Sequence, residues 1–180
     1  MIFAYHGAMS PRGTGDTTMK SFRLAAAIGA VLAAGAVTTV ADTASAQNAG
    51  LRPNFGSVRL RVGFTPDPYT VSIYAGGSID AYTGTDLPGA CVGNISDAPD
   101  YSVTYTAGRL PLVFRAVSNS DTTLIVNGPD GRWSCDDDSF GDGDPQVVYR
   151  RPRSGKYDIW VGVLGGSGAQ AVLGITETPR

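Results

Sequence analysis

Val58-Arg59-Leu60-Arg61-Val62-Gly63-Phe64 alternates apolar and polar residues, and the same two-residue period returns in Tyr69-Thr70-Val71-Ser72-Ile73-Tyr74, in Tyr101-Ser102-Val103-Thr104-Tyr105 and in Leu112-Val113-Phe114-Arg115-Ala116-Val117. A period of two sends successive side chains to opposite faces, so each run is expected to be a strand with one buried face. Further runs rich in β-branched or aromatic residues cover 122–127, 132–135, 146–150, 157–163 and 171–176. Turn signals separate them, among them Gly76-Gly77, Leu87-Pro88-Gly89, Asn127-Gly128-Pro129-Asp130-Gly131 and Arg153-Ser154-Gly155. No segment after residue 46 holds a 3.6-residue period. Eight to ten short strands at this spacing are expected to fold as an all-β, antiparallel β-sandwich or barrel, in which the apolar faces hide one another.

The 180 residues, 17% charged and 42% hydrophobic, suit one globular domain and exclude a disordered or fibrous chain. His6 is the only histidine, and Met1, Met9 and Met19 are the only methionines. Met19-Lys20-Ser21-Phe22-Arg23 forms a cationic head, Leu24 to Val40 an apolar stretch, and Ala44-Ser45-Ala46 a small-x-small cleavage pattern, together the layout of a secretory signal peptide. A membrane anchor is the rival reading, but the apolar stretch is short for a bilayer span and contains Gly29, Gly35, Thr38 and Thr39. The expected organisation is a leader or over-extended start at 1–18, with translation beginning at Met1 or Met19, a signal peptide at 19–46, a short linker at 47–54 and one sandwich at 55–178. Processing would leave no stable membrane span and a periplasmic or secreted product.

The processed chain is weakly acidic, has no His or Met, and keeps Lys156 as its one lysine. That balance argues against a nucleic-acid partner, which needs a basic face to displace counterions. Arg150, Arg151, Arg153 and Lys156 form its only basic cluster, read as a solvated edge or turn. Cys91 and Cys135 are its only thiols, and export predicts that they pair. Closing so long a loop is worth roughly 4 kcal/mol in chain entropy. A catalytic cysteine would need a base beside it, and no histidine is left to serve.

A family resemblance is carried by Asp121-Thr122-Thr123-Leu124-Ile125-Val126-Asn127-Gly128-Pro129-Asp130-Gly131, by Cys135-Asp136-Asp137-Asp138 and by Ser154-Gly155-Lys156-Tyr157-Asp158-Ile159-Trp160-Val161-Gly162. These phrases resemble the bacterial pre-peptidase C-terminal (PPC) domain, and Cys91-Val92-Gly93-Asn94-Ile95 with Ala98-Pro99-Asp100-Tyr101 resembles its exported stand-alone relatives. The resemblance implies a jelly-roll-like sandwich, a non-catalytic role beside secreted proteases, and in some members bound calcium.

Asp136, Asp137, Asp138, Asp142 and Asp144 place five carboxylates within nine residues, interleaved with glycines. Calcium takes six to eight hard oxygens and favours such runs. The spacing is not that of an EF-hand, because Phe140 would hold the fifth position and Val147 the twelfth. A sandwich can complete a site from another loop, and the resemblance suggests Asp121 and Asp130 as contributors. The competing reading is an acidic surface loop whose Asp and Gly residues make turns. Aromatic residues offer a third chemistry, stacking on sugar rings if several share an exposed face. Tyr101 and Tyr105 lie on the side of Val103 and are expected in the core, as is Trp160 between Ile159 and Val161, while Trp133 is expected to cover the disulfide. Catalysis has no histidine and no desolvated lysine to draw on, and paired carboxylates would need an apolar pocket that the wet Asp run does not suggest. The functional expectation is an exported, non-catalytic binding or accessory module for an extracytoplasmic protein or glycan, with calcium as the only cofactor considered. A polysaccharide-binding domain and a peptidase-associated hydrolase stand as alternatives.

Overall fold

The computed structural model describes residues 47–166 and 168–179; the expected leader and signal peptide, residues 1–46, lie outside the described residues. The described residues form eleven strands and no helix: β1 (Ser57–Arg61), β2 (Tyr69–Ala75), β3 (Ile79–Asp80), β4 (Asn94–Ile95), β5 (Tyr101–Thr106), β6 (Leu112–Ser118), β7 (Thr122–Asn127), β8 (Trp133–Asp136), β9 (Gln146–Tyr149), β10 (Gly155–Val163) and β11 (Ala169–Thr176). Nine of them fall on the alternating and β-rich runs of the sequence. β3 and β4, two residues each, were not expected, because two residues carry no periodicity.

The strands make two sheets. In the seven-stranded sheet the order β1-β5-β10 continues on one branch through β7 to β8 and on the other through β4 to β3, and in the four-stranded sheet it is β2-β11-β6-β9. The expectation of wholly antiparallel pairing needs one correction, since β1 runs parallel to β5 with Ser57 opposite Ser102 and Arg61 opposite Thr106. A parallel pair needs a long crossover, supplied here by the chain through β2, β3 and β4. β1 also ends earlier than the pattern implied, as Gly63 turns the chain at φ 74°.

Two apolar clusters result. Between the sheets lie Ile73, Val103, Phe114, Leu124, Ile159, Leu173 and Ile175, among others. Behind the seven-stranded sheet lies a second cluster, with Ala81, Cys91, Ile95, Ile125 and Trp160 at its centre and Trp133 and Cys135 at its margin. Alternation distributes β7 and β10 between the two: Leu124, Val126, Ile159 and Val161 face the first, and Ile125 and Trp160 the second. Both strands are therefore covered on both faces, which explains the consecutive apolar residues Leu124-Ile125-Val126 and Ile159-Trp160-Val161. The cover is the chain from residue 76 to 100, held by the Cys91–Cys135 disulfide with Cα atoms 5.1 Å apart.

Residues 47–54, expected as a linker, lie against this cover. Asn48 N donates to Asp97 O at 2.8 Å, Asn54 N to Pro99 O at 2.8 Å, and Lys156 Nζ reaches Ala49 O at 3.0 Å.

Candidate functional site

The expected disulfide is formed and enclosed. Cys91 is fully buried, and Trp133 packs on Trp160 with ring centroids 5.4 Å apart beside it. Tyr101 and Tyr105 point into the core, as their alternation required. A structural disulfide belongs to an oxidising compartment, so the covalent pair agrees with a periplasmic or secreted protein.

The acidic loop between β8 and β9 is organised by its own backbone. Asp142 and Gly143 both take positive φ, 58° and 75°, between the bridged residues Gly141 and Asp144. Two central residues at positive φ are what a tight Asp-Gly hairpin turn demands. Asp136 Oδ2 accepts from Ser139 N at 3.0 Å, Ser139 Oγ at 2.8 Å and Gln146 N at 2.8 Å, and Asp144 Oδ1 accepts from Ser118 N at 3.1 Å. Asp138 and Asp142 are exposed. Asp121 lies beside this loop, near enough that a Cβ on Gly143 would sit 3.6 Å from its Oδ1. Asp130 does not: it lies beyond the other end of β7, a strand roughly 20 Å long at the usual rise. There it stands 3.8 Å from both Arg132 Nε and Arg153 Nε. Among the described residues no three acidic, histidine or cysteine groups gather as a metal-binding set. Asp136 and Asp144 are engaged by backbone amides of the loop and of β6, and Asp130 is too far away to join them.

Buried acids elsewhere also hold structure. Asp100 is 1% exposed, and its Oδ2 accepts from Val161 N at 2.7 Å. Burial pushes its carboxyl up to about 7, against the lowering effect of hydrogen bonds from Val161, Asn54 and Ser96. Glu177 takes Gly63 N on both oxygens, at 3.1 and 2.8 Å, and the Tyr105 hydroxyl at 2.5 Å. A raised carboxyl in a cleft is a usual sign of general acid chemistry; Asp100 instead is 1% exposed, with its oxygens engaged by Val161 N, Asn54 and Ser96.

Open surface appears instead on the outer face of the four-stranded sheet. Two adjoining hollows of about 330 and 200 Å³ share Val117 and Val172. Ser72, Asn119 and Gln170 line the first, and Thr70, Arg115, Phe140 and Gly174 the second. The pairing register builds this floor: Val172 lies opposite Ser72 and Val117, and Gly174 opposite Thr70 and Arg115. A Cβ on Gly174 would meet nothing nearer than Arg115 O at 4.0 Å, so the glycine leaves the floor hollow. Phe140 closes one side, with the Arg115 guanidinium 4.6 Å over its ring. Arg115 is held in place by Gln146 Oε1 at 2.6 Å and Thr178 O at 3.0 Å. The acidic loop thus contributes its one large apolar residue to the wall of a groove. Sequence reasoning weighed its carboxylates and passed over Phe140, whose isolation among aspartates was the available signal. Tyr74, exposed at 53%, stands one pair further along, opposite Gln170.

No family model matches the chain, and no curated protein matches it. Among solved structures it is similar to PliG of Aeromonas hydrophila, a periplasmic inhibitor of g-type lysozyme, at 17% sequence identity and a TM-score of 0.34, over 67% of this chain and 96% of that one. At that degree of likeness nothing about ligand or partner passes from one protein to the other.

Proposed function

We propose that the protein is an exported, non-catalytic binding module whose ligand face is the outer surface of the four-stranded sheet. The carrying observation is the asymmetry of cover. The seven-stranded sheet has its outer face closed by residues 76–100 and a disulfide, whereas the four-stranded sheet leaves a hollow, partly apolar face with Val117 and Val172 45% and 43% exposed. Contiguous exposed apolar surface rimmed by polar side chains is the usual form of an interaction site. The catalytic alternative is disfavoured by where the acids are: Asp100 is buried, Glu177 is engaged by Gly63 and Tyr105, and the loop aspartates serve a turn.

An accessory role like that of stand-alone PPC-like domains is part of this proposal. The phrases that carry the resemblance fall on β7 and its following turn, on β8 and the start of the acidic loop, and on β10, and of these β7 and β10 are buried along most of their length. The partner is an extracytoplasmic protein. Bait protein bearing Val172→Arg is expected to lose a partner that the unmodified protein retains from the exported proteome, while Asp138→Asn keeps it. A partner held equally by all three baits would overturn the assignment of the face. The glycan reading rests on Tyr74 beside Ser72 and Gln170, a pairing of aromatic ring and hydrogen-bonding groups that suits a sugar. Retention on insoluble glycans that is lost with Tyr74→Ala would favour it.

A further inference from the structure

The basic cluster finds a geometry that the groove does not use. Where β9 runs into β10, residues Pro129, Asp130, Tyr149, Arg151, Arg153 and Tyr157 enclose a small cavity of about 100 Å³. Arg151 is exposed and makes no hydrogen bond or ion pair with any described residue. Arg153 has a side chain 72% exposed, and its Nε is 3.8 Å from Asp130, beyond hydrogen-bonding distance, so its guanidinium donors stay available. The Tyr149 hydroxyl is buried without a hydrogen bond of acceptable geometry, although Ser134 lies near it. Burial raises that hydroxyl to about 12, so it is a neutral O–H able to donate. The neighbouring Tyr157 hydroxyl is already committed, donating to Arg153 O at 2.8 Å and accepting from Arg153 N at 3.0 Å. Arg132, 3.8 Å from Asp130, adds positive charge beside the cavity, Lys156 is engaged instead by Ala49 O and Asp158, and the acidic loop sits at the opposite end of β7 and β8.

We propose that this cavity is a carboxylate-binding pocket, in which Arg151 and Arg153 hold the oxygens and Tyr149 donates from the floor, and that its ligand is a glutamate or aspartate side chain of an acidic peptide segment. Guanidinium forks match a planar carboxylate two bonds at a time. Asp130 in the wall repels a second anionic charge, so a carboxylate monoanion among Arg132, Arg151 and Arg153 is favoured over a phosphate dianion. The volume accommodates a carboxylate with a short methylene stem laid against Pro129 and the tyrosine rings. This site is separate from the groove, and its failure would leave the groove assignment untouched.

Fluorescence anisotropy of a labelled hexaglutamate peptide, titrated at low ionic strength with the full disulfide-bonded protein, tests the proposal. Binding is expected to be saturable and to weaken about tenfold with Arg151→Gln. Tyr149→Phe keeps the ring contacts with Phe114 and Tyr157 and removes only the hydroxyl, for an expected loss of about fivefold. Arg151→Lys keeps the charge without the fork and is expected to fall between unmodified protein and Arg151→Gln. Arg59→Gln, on β1 and outside the pocket, is expected to change affinity by no more than about twofold. Melting curves of each variant establish that it is folded before its affinity is compared. Absence of saturable binding, equal losses for Arg59→Gln and Arg151→Gln, or displacement of the peptide by inorganic phosphate or polygalacturonate at lower concentrations than by free glutamate would each overturn it.

Discussion

The outer faces of the two sheets are built from the same alternation and meet opposite fates. On the seven-stranded sheet the outward residues of β7 and β10 include Ile125 and Trp160, both fully buried beneath residues 76–100. On the four-stranded sheet the outward row of β11 is Gln170, Val172 and Gly174, and no segment of the described chain closes over it. The difference teaches where stability resides and where the proposed recognition has room to act. One face uses large apolar side chains and a covalent tie to complete the fold, and the other uses small and mixed side chains that leave it open to solvent and, under the proposed function, to a partner.

The comparison can be broken most forcefully on its covered side. Replacing Cys91 and Cys135 together by serine frees the cover, and the expected loss is about 4 kcal/mol, seen as a lower denaturation midpoint. A loss below about 1 kcal/mol would mean that residues 76–100 hold their place without the bond.

Asp100 gives a test through pH. Its folded carboxyl titrates near 7, above its ordinary value of 3.8, so the folded state binds a proton more tightly than the unfolded state. The contribution is fully present below the unfolded value and is lost as pH rises through the folded one. Stability is therefore expected to fall from this group by up to about 1.4 kcal/mol per pH unit across that window. Asp100→Asn keeps an acceptor for Val161 N and is expected to flatten this part of the profile and to melt higher than the unmodified protein above neutrality. An unchanged slope would show that the carboxyl is more solvated than its 1% exposure implies.

The smallest effects belong to the open side and the acidic loop. Val172→Arg is expected to alter stability by no more than about 0.5 kcal/mol, because the site is already in water. Calcium is expected to leave the melting temperature unchanged, since Asp136 and Asp144 already accept from backbone amides. A calcium-dependent rise that disappears with Asp138→Asn would restore the metal reading.

Much of this was legible in the residues themselves. Thr122 to Asn127 and Tyr157 to Val163 announced strands through their β-branched and aromatic residues, and two thiols in an exported chain left one pairing. Asp142-Gly143 announced its turn, since few other dipeptides accept two positive φ values. The parallel docking of β1 on β5 was not legible, because nothing local records which strand a run will meet. The groove was hidden for a similar reason: Val172, Gly174 and Phe140 are ordinary residues until the register and the uncovered face bring them together. The basic cluster at Arg150 to Lys156 was visible as charge, but its cavity depends on Tyr149 and Pro129 from other segments.

The account rests on a cross-linked scaffold that works outside the cytosol. Mass spectrometry of the protein isolated from the periplasm or the medium, alkylated before and after reduction, tests this most directly. The expected result is no alkylation before reduction and labelling of both Cys91 and Cys135 after it. Labelling of either cysteine in the unreduced, folded protein would contradict it.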